Sequence, residues 1–281
     1  MFIKRILSGG IILVFSIIIL GFSEVPFLLN ITIGVLSAMA VYEALVTTKY
    51  IESKAMMFIS LFLAFIMPVV PELINVLKID GFTIGRVTTF GIFAFAMVVF
   101  IFMIIFYGKF SFEHIAVVFL LTVIISFFFT TLIYVRMIPL YGLYYIYFVF
   151  IGAWGSDTFC YGCGRFFGKH KLVEKISPKK TIEGSVGGLI LTSVFFGLGA
   201  LILNKCFHLE VNYILFIVTG IFASAVGQIG DLSASIIKRN FAVKDFGSLI
   251  PGHGGILDRF DSVIFVSPAL YILFSNFTYI K

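Results

Sequence analysis

Residues 224–262 read SAVGQIGDLSASIIKRNFAVKDFGSLIPGHGGILDRFDS, and this stretch is the strongest indication of both fold and chemistry. Its first third is apolar enough to lie in a bilayer, yet it contains Asp231 and Lys238. Its far end places Asp258 and Asp261 at the start of the next apolar run. Charged side chains at the edge of a membrane are costly, and they usually mark a substrate or ion path. The stretch therefore predicts a membrane-associated site.

The composition of the whole chain also predicts a membrane protein. Of its 281 residues, 60% are hydrophobic and only 12% are charged, which is more apolar surface than a soluble domain can bury. About nine apolar runs approach the roughly 20 residues that a membrane-spanning helix needs. They lie near residues 5–22, 26–46, 56–77, 88–107, 114–134, 140–162, 185–204, 211–237 and 260–280. The sequence thus predicts an all-α polytopic integral membrane protein with about nine transmembrane helices, the third of them broken by Pro68 and Pro71.

The distribution of basic residues predicts the orientation of these spans. With the N-terminus in the cytoplasm, most of the 20 Lys and Arg residues fall in cytoplasmic segments, as the positive-inside rule requires. The two long charged loops, residues 163–184 and 239–257, then lie on the cytoplasmic side. Attraction of basic loops to anionic headgroups is the alternative explanation of this charge.

The two halves of the chain differ in polarity. Residues 1–140 have short connections and no polar constellation, so we expect an N-terminal transmembrane scaffold formed by spans one to five. Residues 141–281 contain spans six to nine and both charged loops, and we expect them to form the catalytic region. Cys160 and Cys163 form a CxxC without a second pair, so we expect small, buried residues there and no zinc site.

The eighth predicted span carries a polar stripe. Five polar residues recur at alternating intervals of four and three, and a helix turns about 100° per residue, so they share one face. They are Ser224, Gln228, Asp231, Ser235 and Lys238. A hydrogen-bonded seam between helices is the alternative, and it stays open for the serines. Such a seam has no need of ionised groups, so Asp231 and Lys238 indicate chemistry.

Two aspartates mark the entry to the ninth span. Asp258 and Asp261 are three residues apart and hence neighbours on one helical face. Carboxylates this close repel unless a cation lies between them. Mg²⁺ prefers oxygen ligands and commonly takes one or two carboxylates beside substrate phosphates, so with Asp231 these residues predict a magnesium site that polarises a phosphoryl oxygen. A helix cap involving Asp258 and Arg259 is the alternative.

A glycine-rich turn precedes these aspartates at Pro251-Gly252-His253-Gly254-Gly255. Glycines let backbone amides approach an anion closely, and His253 is expected to contact a phosphate. A plain turn is the alternative.

The loop at 163–184 adds cations that are suited to a triphosphate. Lysines act as point charges toward phosphates, whereas a patch facing lipid headgroups is the alternative. Asp157, near the end of the sixth span, is expected either to contact ligand or metal or to pair with a lysine of the loop. The candidate residues of the loop are Arg165, Lys169, Ser177, Lys179 and Lys180.

Taken together, these segments resemble the phosphatidate cytidylyltransferases (CDP-diacylglycerol synthases). The run Ser235-Ile236-Ile237-Lys238-Arg239, followed by Lys244-Asp245, the turn at 251–255 and Asp258-Arg259-Phe260-Asp261, resembles the family's long gapped motif. The segment SDTFCYGCGRFFGKHKL at 156–172, with SPKKTIEGSVGG at 177–188, is similar to the family's other cytoplasmic loop.

The resemblance implies a reaction and its partners. CTP and phosphatidic acid would give CDP-diacylglycerol and pyrophosphate for phospholipid biosynthesis, with Mg²⁺ and room for a monovalent cation such as K⁺. The enzyme would be a homodimer in the bacterial cytoplasmic (inner) membrane, with its active site at the cytoplasmic face, in contact with membrane lipids and without nucleic acid.

The resemblance also implies roles for residues. Asp231, Asp258 and Asp261 would hold the metal and, with Lys238, form the catalytic set. Substrate contacts would come from Asp157, Arg165, Lys169, Ser177, Lys179, Lys180, Ser235, Arg239, His253, Gly254, Gly255 and Arg259.

A membrane transporter or ion pathway is the alternative function. It also places charge at membrane depth, but it predicts a polar path to both faces, whereas the ionisable residues here crowd toward one side. Many transporters are built from repeated halves, and the sequence shows no such repeat. A CDP-alcohol phosphotransferase is a further alternative, but its D-G-x-x-A-R pattern is absent.

Overall fold

The structure is a computed structural model, and it describes residues 20–23, 25, 27–51, 53–78, 84–249 and 254–281. This part of the chain is mainly helical. The helices are α1 (Leu28–Thr48), α2 (Lys54–Leu77), α3 (Ile84–Ile105), α4 (Phe112–Arg136), α5 (Gly142–Phe150), α6 (Ser156–Phe167), α7 (Ile182–Phe207), α8 (Tyr213–Asn240) and α9 (Leu257–Asn276). A π-helical segment (Ile151–Gly155) joins α5 to α6, and two strands, β1 (Lys171–Val173) and β2 (Ser177–Thr181), precede α7.

Six helices in the described part of the chain are long and apolar enough to cross a membrane, namely α1, α2, α3 from Gly85 onward, α4, α7 and α8. They coincide with predicted spans two to five, seven and eight, which is consistent with a polytopic membrane protein. The sixth predicted span is the continuous run α5–π–α6, and the ninth is α9. The first predicted span lies almost wholly outside the described residues, so the total of nine and the orientation stay predictions.

The prolines of the third predicted span do not break it, contrary to our expectation. Helix α2 continues through both Pro68 and Pro71, which lie inside it and are buried. Prolines are tolerated in membrane helices where neighbouring helices supply partners for backbone groups. The side-chain amide of Asn30 in α1 also donates a hydrogen bond of 2.9 Å to the carbonyl oxygen of Pro68, which ties α1 to α2 at this point.

The described part of the chain is all-helical apart from a short antiparallel hairpin, which lies in the predicted cytoplasmic loop at 163–184. Lys171 pairs with Thr181 and Val173 pairs with Ser177. Thr181 then caps α7, since its hydroxyl oxygen accepts a 3.1 Å hydrogen bond from the amide of Gly184. The hairpin therefore fixes the lysines of β2 relative to the start of α7.

The chain divides into two compact units. The first comprises the residues up to Ile133 together with Asp245–Arg259, and the second comprises Tyr134–Lys244 together with Phe260–Lys281. Helix α9 thus begins in the first unit and continues in the second. The predicted division into scaffold and catalytic region at residue 140 stays a prediction.

Small residues let the helices of the second unit approach closely. At Gly220 in α8, an added Cβ would lie 2.7 Å from the Cα of Ser193 in α7. In the same unit, the ring of Phe148 on α5 packs against those of Phe196 and Phe216 at centroid distances of 5.0 and 4.7 Å. Close approach at small residues is the usual way in which membrane helices pack. This packing fixes α5, α7 and α8 side by side and so positions the polar residues that they carry.

Candidate active site

Charged side chains of the second unit gather where α6, β2, α8 and α9 meet. We call this group the Asp–Lys cluster, and it consists of Asp157 on α6, Lys180 on β2, Asp231 and Lys238 on α8, and Asp261 on α9. The charges of Asp231, Lys238 and Asp157 all act on the carboxyl group of Asp261. Four separate elements therefore bring three carboxyl groups and two amines to one place.

Asp261 and Lys238 form the buried part of the cluster. The Nζ of Lys238 lies 3.9 Å from an oxygen of Asp261, and the two residues are only 8% and 6% exposed. Burying charges is costly unless opposite charges and hydrogen bonds compensate for the lost hydration. The backbone amide of Ser262 supplies one such bond, 2.9 Å from Asp261.

Lys180 and Asp231 form the more accessible part. The Nζ of Lys180 lies 2.5 Å from Oδ2 of Asp231, with side-chain exposures of 22% and 27%. The two groups form an ion pair, but their geometry is not that of a hydrogen bond. The Nζ of Lys180 is buried and has no hydrogen-bond partner among the described residues. An ammonium group has three donors, so this atom keeps donors for an incoming oxygen ligand.

Ser262 links two acidic residues, and sequence reasoning missed it. Its hydroxyl donates a 2.7 Å hydrogen bond to Asp157, while its amide donates to Asp261. It is 1% exposed. The signal in the sequence was a hydroxyl residue directly after the last aspartate of the motif, at the start of a span. Asp157 is thus held by α9 as well as placed by α6.

A π-helical segment directly precedes the first residues of α6. Such segments occur mostly as single turns within α-helices, often at functional sites, because the extra residue re-aims the side chains that follow. The segment Ile151–Gly155 ends just before Ser156 and Asp157. This local irregularity, which no periodicity in the sequence indicates, lies at the start of the helix that carries Asp157 into the cluster.

The polar stripe of α8 serves two purposes along its length. In its first half, the hydroxyl groups of Ser224 and Ser156 are 2.6 Å apart, and Gln228 bonds to Ser185 and Ser224. This half is the interhelical seam that the sequence left open. In its second half, Asp231 and Lys238 enter the Asp–Lys cluster, and Ser235 lies half-buried between them.

Asp258 is held within the first unit by backbone amides. Its Oδ2 accepts hydrogen bonds of 2.8 Å from Phe246 and 2.9 Å from Gly255, and the residue is 7% exposed. Gly254 adopts a left-handed backbone with φ of 83°, where a side chain would be strained, and an added Cβ would lie 2.9 Å from Asp258. The Gly254–Gly255 turn therefore wraps the carboxyl group of Asp258.

The other residues of the predicted glycine-rich turn, including His253, lie outside the described residues. The predicted phosphate contact of His253 therefore stays a prediction. Gly255 uses its amide on Asp258 in this structure.

Glu43 contradicts the expectation that residues 1–140 contain no polar constellation. It lies within α1, is 3% exposed, and accepts hydrogen bonds from the amides of Ile256 and Leu257 at 3.0 and 2.9 Å. The signal was a lone acidic residue inside a 21-residue apolar helix. An ionisable residue at such a position is a functional candidate by default.

The remaining predicted substrate residues line the surface near the hairpin. Arg165, Lys169 and Lys179 are exposed, and Ser177 is half-buried on β2. Arg239, at the end of α8, donates to the carbonyl oxygen of Ile176 at 3.4 Å and to that of Val243 at 3.2 Å. Arg239 thus connects α8 to the turn of the hairpin.

Arg259 follows Asp258 in the first turn of α9 and is half-buried. It belongs to the first unit, whereas the hairpin and the Asp–Lys cluster belong to the second. Its predicted contact with substrate stays a prediction.

The two cysteines of the CxxC are free and half-buried. Cys160 packs against Gly188 and Cys163 against Gly187, on the facing helix α7. They act as packing residues between α6 and α7, although they are less buried than we expected.

The donor chemistry of the Asp–Lys cluster suits Mg²⁺, which prefers carboxylate and phosphate oxygens. Within the described residues, however, no three His, Cys, Asp or Glu side chains are arranged to hold a metal by themselves. Mg²⁺ commonly takes only one or two protein carboxylates and completes its shell with water and phosphate. The cluster thus fits a Mg²⁺ that arrives with a phosphate ligand, and Asp231 and Asp261 are the predicted metal residues within it.

The sequence of the chain matches a known protein family along nearly its whole length. The sequence model described as "Cytidylyltransferase family" matches residues 3–277. The chain is 32% identical over 275 residues to a phosphatidate cytidylyltransferase of Bacillus subtilis (strain 168), and the alignment covers 98% of each protein. It is also 52% identical over 132 residues to a phosphatidate cytidylyltransferase of Staphylococcus epidermidis, covering 47% of this chain and 49% of that protein. The corresponding protein of Staphylococcus saprophyticus is 48% identical over the same length. The likeness therefore extends along nearly the whole chain.

Proposed function

Since the chain belongs to the cytidylyltransferase family, we propose that it transfers CMP from CTP to phosphatidic acid and so forms CDP-diacylglycerol and pyrophosphate. The observation that supports this most directly is Lys180, a buried ammonium group that touches Asp231 yet keeps unused hydrogen-bond donors. An acidic partner places the cation, and the free donors suit the oxygens of a phosphate. The family match does not favour the transporter alternative.

The setting of the reaction follows from the charge distribution. In this proposal the N-terminus is cytoplasmic, the chain has nine spans, and the active site faces the cytoplasm in the inner membrane of a bacterium. CTP is attracted by the exposed cations Arg165, Lys169 and Lys179 near the hairpin. Phosphatidic acid enters sideways from the inner leaflet, and the protein works as a homodimer.

The chemical step is an in-line displacement at phosphorus. An oxygen of the phosphatidic acid phosphate bonds to the α-phosphorus of CTP, while the bond from that phosphorus to the pyrophosphate oxygen breaks. The phosphate of phosphatidic acid is already anionic near neutral pH, so no residue is needed to remove a proton. His253 therefore serves as a phosphate contact in this proposal and not as a base.

The contribution of the protein is position and charge, which is what phosphoryl-type transfers mainly need. Lys180 and Lys238 stabilise the negative charge that spreads toward the departing pyrophosphate. A Mg²⁺ held by Asp231 and Asp261, with Asp258 as the third predicted residue, would neutralise charge on the phosphate oxygens, and a monovalent cation such as K⁺ belongs to the same proposal. Asp157, held by Ser262, faces the same cluster.

Purified protein with labelled CTP, phosphatidic acid and Mg²⁺ tests this function. We expect label in CDP-diacylglycerol, loss of the product when the divalent metal is chelated, and a drop of about 100-fold or more in Asp261→Asn. Glu113→Gln is the matched control, because Glu113 is exposed and bonds only to a surface tyrosine hydroxyl in the contacts we describe, 2.8 Å from Tyr50. Absence of lipid-linked CMP from the wild-type reaction, or normal turnover in Asp261→Asn, would refute the proposal.

A further inference from the structure

We propose that Glu43 is a positioning residue of the transferase, which fixes the start of α9 and with it Asp258. The proposal rests on the function proposed above. Glu43 touches neither the reacting groups nor the Asp–Lys cluster in the contacts described, and it acts through the backbone of the segment that leads into α9. A role for this residue enlarges the functional part of the chain to include α1.

The first support is the geometry of the hydrogen bonds. The amide of Ile256 donates to Oε1 of Glu43 at 3.0 Å, and the amide of Leu257 donates to Oε2 at 2.9 Å. The first amides of any helix lack partners within the helix and need acceptors from elsewhere. Ile256 precedes the helix, and its side chain has no acceptor, so the usual local cap is missing. A carboxyl group more than 200 residues earlier in the chain instead accepts from the amides of Ile256 and Leu257, where the helix begins.

The second support is the close fit around the carboxyl group. Gly247 and Gly255 both approach Glu43 so closely that a Cβ on either would collide with its oxygens; at Gly247 the added atom would also lie 2.7 Å from Cδ of Glu43. Neither glycine has a positive φ, so a larger residue at either position would disturb the fit to the Glu43 carboxyl group and not the backbone conformation. The segment is thus shaped around Glu43.

The third support is a second contact from the same face of α1. Thr47 lies one helical turn after Glu43, and its hydroxyl donates a 2.8 Å hydrogen bond to the carbonyl oxygen of Phe246. The amide of Phe246 in turn donates to Asp258 at 2.8 Å. Helix α1 therefore holds the segment at two places: Thr47 at Phe246, and Glu43 at the residues directly before Asp258.

The choice of residue also supports a specific role. A glutamate inside a helix apolar enough to cross a membrane is expensive, and an apolar side chain would pack there at lower cost. Both of its oxygens are used as acceptors, one for each amide. Glutamine would keep one acceptor and turn an NH₂ group toward a backbone N–H, so two donors would face each other.

The test compares Glu43→Gln with Glu113→Gln, a glutamate on α4 in the same unit that is exposed. Three quantities are measured: kcat and KM for CTP, local amide hydrogen exchange in peptides covering residues 254–260, and the unfolding temperature in detergent. For Glu43→Gln we expect kcat to fall about 10- to 100-fold with KM changed less than about threefold, since a misplaced group near the reaction slows chemistry more than binding. We expect faster exchange in residues 254–260 alone, and wild-type behaviour of the control.

Thr47→Val keeps the test informative if Glu43→Gln does not fold. Valine has nearly the shape of threonine but lacks the hydroxyl donor, so we expect a smaller drop in kcat, of a few fold. Faster amide hydrogen exchange should again be confined to residues 254–260. Normal kcat in Glu43→Gln, or a loss of activity that follows a global drop in unfolding temperature with exchange raised throughout, overturns the positioning role. Inactive wild-type protein would instead refute the proposed function, and the exchange data would still report on the Glu43 contact.

Discussion

The side-chain amine of Lys180 lies 2.5 Å from a carboxylate oxygen of Asp231, so strand β2 and helix α8 meet through opposite charges. The side chain of Asp231 is 27% exposed, so water screens the pair on the side of the carboxyl group, although the Nζ of Lys180 is itself buried. Its importance is positional. A flexible cation that is held by one acidic group can turn toward a phosphate without leaving the cluster.

Removal of the Lys180 cation should damage catalysis far more than folding. We expect Lys180→Met to lower kcat/KM for CTP by about 100-fold, because one preorganised donor to a transferring phosphate is typically worth this much. Lys175→Met is the control, since Lys175 is an exposed lysine in the turn of the same hairpin. Steady-state kinetics of both variants decide the matter: equal effects at the two positions would mean that only the general charge of the hairpin counts.

The buried pair of Lys238 and Asp261 should show energetic coupling. Removing one partner leaves the other charge buried without compensation, so we expect each of Lys238→Met and Asp261→Asn to lower the free energy of unfolding by about 3 kcal/mol. The double variant should lose less than the sum, with a coupling energy of about 0.5–3 kcal/mol. Reversible denaturant unfolding in mixed micelles measures all four proteins. If the effects of the two substitutions on the free energy of unfolding are strictly additive, Lys238 and Asp261 do not interact across their 3.9 Å separation.

Ser262 should matter through the direction it gives to Asp157. Without its hydroxyl the 2.7 Å hydrogen bond is lost, so we expect Ser262→Ala to reduce kcat by about tenfold at unchanged protein yield. Ser233→Ala is the matched control on α8, because the hydroxyl of Ser233 bonds to the carbonyl of Ile229 in its own helix. A threonine at 262 retains the hydroxyl and should recover part of the rate. Full activity of the alanine variant would contradict a role for this bond.

The contact between α6 and α7 should depend on the absence of a side chain at Gly188. A Cβ there would collide with the sulfur of Cys160, so we expect Gly188→Ala to lower the free energy of unfolding by about 1–3 kcal/mol. Adding Cys160→Ala removes the sulfur and should restore most of the loss. Thermal unfolding of the single and double variants provides the measurement. If the second substitution gives no recovery, the collision is not the cause.

Features that depend only on residues close together in the sequence could be predicted from it. The alternation of four and three along α8 is a local property of a helix, and it put Gln228, Asp231 and Lys238 on the face that bonds to other elements. The length of each apolar run predicted six helices that the structure contains. The same local reasoning set Asp231 and Lys238 apart as ionised groups, but it could not assign the serines of that face to a seam or to a site, since this depends on what packs against them.

Features that depend on distant or weak signals could not be predicted. Strand β1 has three residues and β2 reads SPKKT, so neither alternates between apolar and polar residues, and Pro178 argues against a strand. The partners of Glu43 lie 213 and 214 residues away, and no spacing rule connects them. Asp258 was expected beside a metal with Asp261, whereas its oxygen also serves the amides of Phe246 and Gly255, which only the folded turn brings near.

The bond between Glu43 and the start of α9 also sets an order of events during synthesis. A ribosome adds about 5–20 residues per second, so the amides that receive Glu43 leave the tunnel about 10–40 s after the glutamate itself. For that interval α1 carries an acidic group without its final partners. A chain that stops before residue 256 would lack both amides that bond to Glu43 in the folded protein.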